Sequence, residues 1–135
     1  MDRIVVGFDG SEHSLKALAR AADLANSAEI VVVSAAGPHL LRHAPGEIPV
    51  DTQEEEARDA ALAEARRYLE QRGLTGRYVE GHGSPADVIV QEAQESKADL
   101  IVVGTHGHNA VERAVLGSVS TEVVHHAPCD VLIVR

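Results

Sequence analysis

Apolar residues concentrate in five short runs that are separated by longer stretches of mixed polarity. The runs are rich in Val and Ile and lack polar alternation, a pattern typical of strands that are covered on both faces. They lie at residues 3–8, 30–36, 77–80, 100–103 and 131–134. The pattern therefore predicts five short strands in a buried sheet.

Between these runs, the sequence predicts four helices, at about residues 11–26, 52–72 and 84–96 and from 118 to just before Pro128. The second has acidic residues in its first turn and arginines near its end, which suits the helix dipole. The third opens with Ser84 and Pro85, a capping residue followed by proline in the first turn. Strands that alternate with helices predict an α/β fold with a parallel sheet and right-handed crossovers.

Composition narrows the classes of partner. The 135 residues suit one domain, 1–135. Hydrophobic residues make up 44% of the chain but aromatic residues only 2%, so the core is aliphatic and single-stranded nucleic acid finds no stacking platform. A net charge of −9 opposes binding to nucleic acid or to an anionic membrane. We therefore expect neither as a partner.

The cellular location is also predicted from composition. The one cysteine, Cys129, excludes an internal disulfide and suits a reducing compartment. The chain enters its first apolar run without a signal-peptide pattern, and no run approaches the roughly 18 residues of a membrane span. These features predict a cytoplasmic protein.

The strongest chemical signal is a glycine motif between a buried strand and a helix. Gly104 ends the strand and permits close backbone approach, and Gly107 permits a turn that a side chain would oppose. Gly117 and Ser118 bring free amides, a hydroxyl and a helix N-terminus together, and this combination binds phosphate without a cationic side chain. The alternative is a turn and a helix cap without a ligand.

Other residues of the same loop bear on chemistry. Arg113, His106 and His108 either neutralise phosphate charge or are solvated. The sequence contains no Walker lysine motif, no G-x-S-x-G elbow and no Cys/His cluster for a metal. No general base is evident beside a positioned nucleophile, which favours a binding protein over an efficient enzyme.

The spacing G-x2-G-x9-G-S resembles the nucleotide signature of the universal stress protein family, in its ATP-binding branch. Residues 4–11, 81–85 and 128–134 are similar to the opening strand and turn, the third turn and the closing strand of that family. The resemblance covers the chain except for the loop at residues 37–51.

This resemblance implies an open five-stranded sheet in the order 3-2-1-4-5 with helices on both faces, Rossmann-like and similar to the adenine nucleotide alpha hydrolases. It implies a nucleotide site where the first and fourth strands end. Asp9 is then either an adenine or metal contact or the N-cap of the first helix, or both. The implied contacts are Gly7, Asp9 and Ala35 for adenine, Gly104 for ribose, and Gly107, Gly117, Ser118, Val119 and Ser120 for phosphates, with Arg113 as a further candidate.

The implied function is ATP binding, with Mg²⁺, by a regulatory homodimer in the stress response whose nucleotide state changes the surface offered to a protein partner. The dimer is expected through the apolar edge strand at residues 131–135, which would otherwise leave backbone groups unpaired. The alternatives are a monomer with a protected edge, a slow ATPase or autophosphorylating protein using Ser118 or Ser120, a binder of AMP or cyclic AMP, and a nucleotide-free dimeric scaffold.

Overall fold

Strands and helices alternate along the chain as predicted. The computed structural model describes residues 1–37, 50–106 and 116–135. The strands are β1 (Arg3–Gly7), β2 (Glu29–Ala36), β3 (Gly76–His82), β4 (Leu100–Gly104) and β5 (Asp130–Val134). The helices are α1 (Glu12–Leu24), α2 (Val50–Gln71), α3 (Pro85–Ser96) and α4 (Ser118–His126).

All five strands are parallel, in the order β3-β2-β1-β4-β5, which confirms the predicted fold class. In the centre, Val6 of β1 is in register with Val32 of β2 and Val102 of β4. The chain order reverses on either side of β1, so the carboxyl ends of β1 and β4 lie side by side. An open α/β sheet binds ligands at such a position.

Two apolar cores cover the two faces of the sheet. Along β1, Ile4 and Val6 pack into the core beneath α1 and α2, while Val5 packs into the core beneath α3 and α4. The buried side chains of β2 and β4 are divided in the same way. This two-sided burial is the physical reason for the unbroken Val/Ile runs in the sequence.

Local capping fixes where the helices begin. The Ser11 side chain caps α1 by accepting from Ser14 N, and Asp9 Oδ1 accepts from Ser11 N at 2.9 Å. The alternative in which Asp9 is the N-cap of the first helix is therefore wrong; its carboxylate shapes the turn before the cap. At α3, the Ser84 side chain accepts from Asp87 N, as the serine–proline pattern predicts.

The third strand is longer than the apolar pattern predicts. Residues 77–80 are expected, whereas the strand runs from Gly76 to His82 because β2 offers pairing partners up to Ala36, in register with His82.

In the described part of the chain, no helix is long and apolar enough to cross a membrane.

Candidate functional site

A cavity of about 420 Å³ opens at the carboxyl edge of the sheet, where β1 and β4 end. The ends of three strands and the N-termini of α3 and α4 form its walls. The lining residues are Gly7, Phe8, Asp9, Ser14, Val33, Ser34, Ala35, Pro85, Ile89, Val103, Gly104, Thr105, His106, Gly117, Ser118, Val119 and Ser120.

Eight of the ten predicted site residues line this one cavity. They are Gly7, Asp9, Ala35, Gly104, Gly117, Ser118, Val119 and Ser120. Gly107 and Arg113 lie outside the described residues. The individual roles of all ten toward a nucleotide stay predictions.

The N-terminus of α4 closes one end of the cavity. Gly117 is its N-cap, and the first bond of the helix runs from Thr121 N to Gly117 O at 3.1 Å. The amides of Ser118, Val119 and Ser120 precede that bond and so have no carbonyl partner within the helix. Gly117 N, in contrast, donates to Thr105 O at 2.8 Å. The expectation of a free amide at Gly117 is therefore wrong, and the three amides that follow it are the ones the helix presents.

The serine hydroxyls of this turn differ in their surroundings. Ser120 is buried, and its Oγ donates to Thr105 O at 3.1 Å and to Gly117 O at 3.0 Å. Its hydroxyl therefore fastens α4 to the end of β4, and what Ser120 offers to a ligand is its amide. Ser118 is exposed. Of the two serines considered as phosphoryl acceptors, only Ser118 has an accessible hydroxyl.

The opposite end of the cavity is built by β2, which extends beyond β1. Phe8 N donates to Val33 O at 2.9 Å, after which the chain turns away from the sheet. Ala35 is the next residue of β2 whose peptide groups point to this side, because strand residues alternate in direction. Its N–H and C=O thus face the cavity, whose lining also includes Val33 and Ile89.

Two glycines of the site lie where a side chain would meet a neighbouring helix. A Cβ built on Gly7 would lie 2.5 Å from Ile89 Cδ1 of α3. A Cβ built on Gly104 would lie 2.7 Å from the backbone C and O of His13 in α1. The close backbone approach predicted at Gly104 is therefore an approach by helix α1; its contact with ribose stays a prediction.

The chain matches a family of known proteins over its whole length. The family model described as "Universal stress protein family" matches residues 1–135. The chain belongs to the universal stress protein family.

Individual relatives agree with this membership. A universal stress protein of Methanocaldococcus jannaschii is 36% identical over 139 residues, 98% of this chain and 81% of that protein. A solved universal stress protein in complex with cAMP is 32% identical with a TM-score of 0.76, covering 99% of this chain and 97% of that one. The solved universal stress protein UspA from Lactobacillus plantarum is 28% identical, with a TM-score of 0.76 and the same coverage.

In this universal stress protein, the residues that follow β4 join several elements. Thr105 N donates to Val134 O of β5 at 3.2 Å, and its carbonyl accepts from Gly117 N and Ser120 Oγ. Thr105 Oγ1 lies 3.3 Å from His13 Nδ1 of α1. The rings of His13 and His106 are tilted by 56° with centroids 5.5 Å apart. Sequence analysis missed Thr105 and His13, and the only local signal for Thr105 is its place after Gly104.

The charges around the cavity are few. Among the described lining residues, Asp9 is the only carboxylate, His106 is the only basic side chain, and neither Lys nor Arg is present. Within the described residues, no group of three or more His, Cys, Asp or Glu side chains is placed to hold a metal ion.

Proposed function

We propose that this universal stress protein binds an adenine nucleotide, that the ligand is ATP, and that residues 1–135 form one nucleotide-binding domain. One observation carries the proposal: residues from both ends and the middle of the chain converge on one cavity whose two ends suit the two ends of a nucleotide. One end presents a strand edge between apolar walls, and the other presents a helix N-terminus.

The strand edge suits a base. The N–H and C=O of Ala35 form a donor–acceptor pair, and adenine offers the complementary amino donor and ring-nitrogen acceptors. Pro85 and Ile89 lie on the same wall and give the flat ring an apolar surface. Asp9 also lines the cavity, and its carboxylate accepts from Ser11 N.

The helix N-terminus suits the phosphates. Three successive amides, of Ser118, Val119 and Ser120, point toward a ligand at the positive end of the helix dipole. Mg²⁺ is bound in proteins through one or two carboxylates together with substrate phosphates and water. With Asp9 the only carboxylate of the described wall, we expect phosphate oxygens and water to supply most of its ligands.

Similarity to the solved universal stress protein in complex with cAMP, at 32% identity over 99% of this chain, supports an adenine nucleotide as the ligand. The same similarity makes cyclic AMP the main competitor of ATP. A run of three amides favours the longer phosphate chain of ATP, because a cyclic monophosphate has fewer oxygens to accept from them.

We propose that the protein is a regulatory homodimer and that its signal is whether the site holds a nucleotide. On the edge strand β5, Val131, Leu132 and Ile133 are only half-buried, and Val124 of α4 is 48% exposed. Because the Val134 carbonyl faces β4, the backbone groups of Val131 and Ile133 point outward. Two copies that pair these strands about a two-fold axis would satisfy both edges. The cytoplasmic location and the role in stress stay predictions.

Thermal melting with a panel of nucleotides tests the ligand. The protein is melted with ATP, ADP, AMP and cyclic AMP, each with and without Mg²⁺. A ligand at one hundred times its dissociation constant adds about 2.7 kcal/mol to the free energy of unfolding, which raises the midpoint by several degrees. ATP with Mg²⁺ is expected to give the largest rise. A larger rise with cyclic AMP would replace ATP as the ligand, and no rise with any nucleotide would refute the proposal.

The contribution of the α4 amides is tested by a matched pair of variants. Ser118→Pro removes one N–H and the hydroxyl, whereas Ser118→Ala removes the hydroxyl alone. Proline is compatible with the first position of a helix, and Gly117 already has the extended backbone, φ −70° and ψ 169°, that precedes proline. We expect Ser118→Pro to weaken ATP binding roughly 10- to 100-fold, since a hydrogen bond to a charged group contributes about 1.5–3 kcal/mol.

Titration calorimetry with ATP and Mg²⁺ gives the two affinities, and melting of each free variant shows that it is folded. Ser118→Ala should bind within a few fold of the unmodified protein. Equal affinity of all three proteins would show that the Ser118 amide does not contact the phosphates.

A further inference from the structure

The described lining of the cavity has little positive charge for a site that is proposed to bind a polyanion. The chain carries a net charge of −9, and Asp9 adds a carboxylate to the cavity wall itself. Among the described lining residues, no side chain carries a permanent positive charge. His106 is the only one of them that gains a positive charge by taking up a proton.

His106 does not stand alone. Its ring meets that of His13, with centroids 5.5 Å apart and a 56° tilt. It also lies beside the N-cap of α4, where a Cβ built on Gly117 would be 3.5 Å from His106 Cδ2. A charge on this ring is therefore next to the helix end that presents its amides to a phosphate.

The two rings differ in their surroundings, because His106 is among the residues that line the cavity, whereas His13 contacts Thr105. Thr105 Oγ1 lies 3.3 Å from His13 Nδ1. The Thr105 hydroxyl can donate to this nitrogen or accept from it, so the contact is kept whether or not His13 carries the proton there. Two positive rings at this separation also repel each other, so the pair holds one proton more readily than two. Because His106 is the ring that lines the cavity, a charge on this ring is the one that a bound phosphate meets.

We propose that His13 and His106 form a proton-operated phosphate contact: the pair takes up a proton when a phosphate-bearing nucleotide binds, and His106 presents the charge to the phosphates. This inference rests on the proposed nucleotide site and adds its regulation. Affinity for nucleotides is then higher in a more acidic medium, within the range in which histidines titrate.

The charged groups on the elements around the pair are compatible with this role. On α1, Glu12 and Lys16 flank His13 and pair with each other at 3.6 Å. Asp9, which follows β1, lines the same cavity and brings a negative charge to it. The first turn of α4 has no acidic residue, and Glu122 lies in its second turn. On β5, the backbone of Val134 bonds to Thr105, and Arg135 follows it. Residues 107–115 are not among the residues that the structure describes.

Calorimetry of ADP binding between pH 6 and pH 8, in buffers of different ionisation enthalpy, measures both affinity and proton uptake. The proteins compared are the unmodified chain, His106→Gln, His13→Gln and the control His125→Gln, whose side chain is exposed on α4. Adenosine is the control ligand without phosphates. Because a terminal phosphate itself titrates near pH 6, the quantity that decides is the difference between the unmodified chain and each variant.

One coupled proton changes the affinity by at most tenfold per pH unit. We expect the unmodified chain and His125→Gln to bind ADP about tenfold more tightly at pH 6 than His106→Gln does, and all of them to converge at pH 8. His13→Gln should alter the proton uptake, and adenosine binding should not depend on pH.

Two negative results are distinguishable. If ADP binds but His106→Gln has the same pH dependence as the unmodified chain, the histidine contact is refuted while the nucleotide site stands. If no nucleotide binds at any pH, the proposed function and this inference fail together.

Discussion

At the scale of single residues, Gly104 shows how one position can serve both the fold and the site. Its backbone lines the cavity, while the space that a side chain would take is filled by the backbone of His13. A glycine at the end of β4 lets α1 cross close to the sheet. The same close crossing brings His13 to Thr105, so this glycine also sets the position of the histidine pair.

Replacing Gly104 with alanine is expected to destabilise the fold by at least about 1–3 kcal/mol, the usual cost of overpacking. The new Cβ would be 2.7 Å from backbone atoms, which cannot rotate away. Denaturant unfolding monitored by circular dichroism measures the change.

The matched control for that measurement is Gly73→Asn. Gly73 has a φ of +73° with no atom within 4 Å of a built Cβ, and asparagine tolerates this backbone region. It should change stability far less. A Gly104→Ala protein as stable as the control would show that α1 moves away from β4 without strain.

At the scale of elements, one carboxylate joins two neighbouring strands at the amino end of the sheet. Asp99, just before β4, accepts from Asp2 N at 2.7 Å and from Arg3 N at 3.0 Å. These hydrogen bonds hold the start of β1 against β4, and they lower the pKa of the Asp99 carboxyl below its ordinary value of 3.8. Both bonds favour the ionised form, so the carboxylate ties two neighbouring strands together more strongly when it is charged.

The sign of the resulting pH dependence follows from that lowered pKa. The stabilisation by Asp99 is fully present above pH 3.8, the ordinary value, and is lost as the pH falls through the lower pKa of the folded state. Asp99→Asn keeps an acceptor but removes the charge. We expect the variant to be less stable at neutral pH and to approach the unmodified chain in strong acid.

Denaturant midpoints of the two proteins from neutral pH to strong acid check this. If the difference in stability between the two proteins does not change with pH, the charge of Asp99 does not stabilise the contact between β1 and β4.

At the scale of the whole molecule, the two edges of the sheet are unequal. The β3 edge carries charged side chains, with Arg77 paired to Glu92 at 2.7 Å, a composition that discourages pairing with another chain. The β5 edge instead offers half-buried Val131, Leu132 and Ile133. This asymmetry is the reason to place the proposed dimer contact at β5.

Val131→Pro tests the dimer. Proline removes an outward N–H while leaving the bonds to β4 in place, and edge strands tolerate it on that side. We expect sedimentation to show a dimer for the unmodified chain and for the control Val131→Ala, and a shift toward monomer for Val131→Pro. A melting transition confirms that the proline variant is folded. A monomeric unmodified chain would refute the proposed dimer, and a proline variant that remains a dimer would place the contact elsewhere.

The sequence by itself determined the local features of this protein. Strands buried on both faces need unbroken Val/Ile runs, which the sequence shows at β1 and β4. The start of α3 at Ser84–Pro85 could also be predicted, because capping is satisfied within a few residues. The glycine spacing pointed to the family and, through it, to the strand order. Eight of the ten predicted site residues then met at one cavity, since the family relation carries long-range information that hydrophobic periodicity lacks.

Only the tertiary structure decided which partners the backbone amides and hydroxyls of the site bond to. The amide of Gly117 is taken by Thr105 O, and the hydroxyl of Ser120 is turned inward to the same carbonyl. His13 contacts Thr105, a lining residue of the cavity, from a position 92 residues earlier in the chain. Such contacts depend on how helices pack across the sheet, which is set by long-range contacts between side chains and backbone, whereas patterns along the chain report only on each element and its caps.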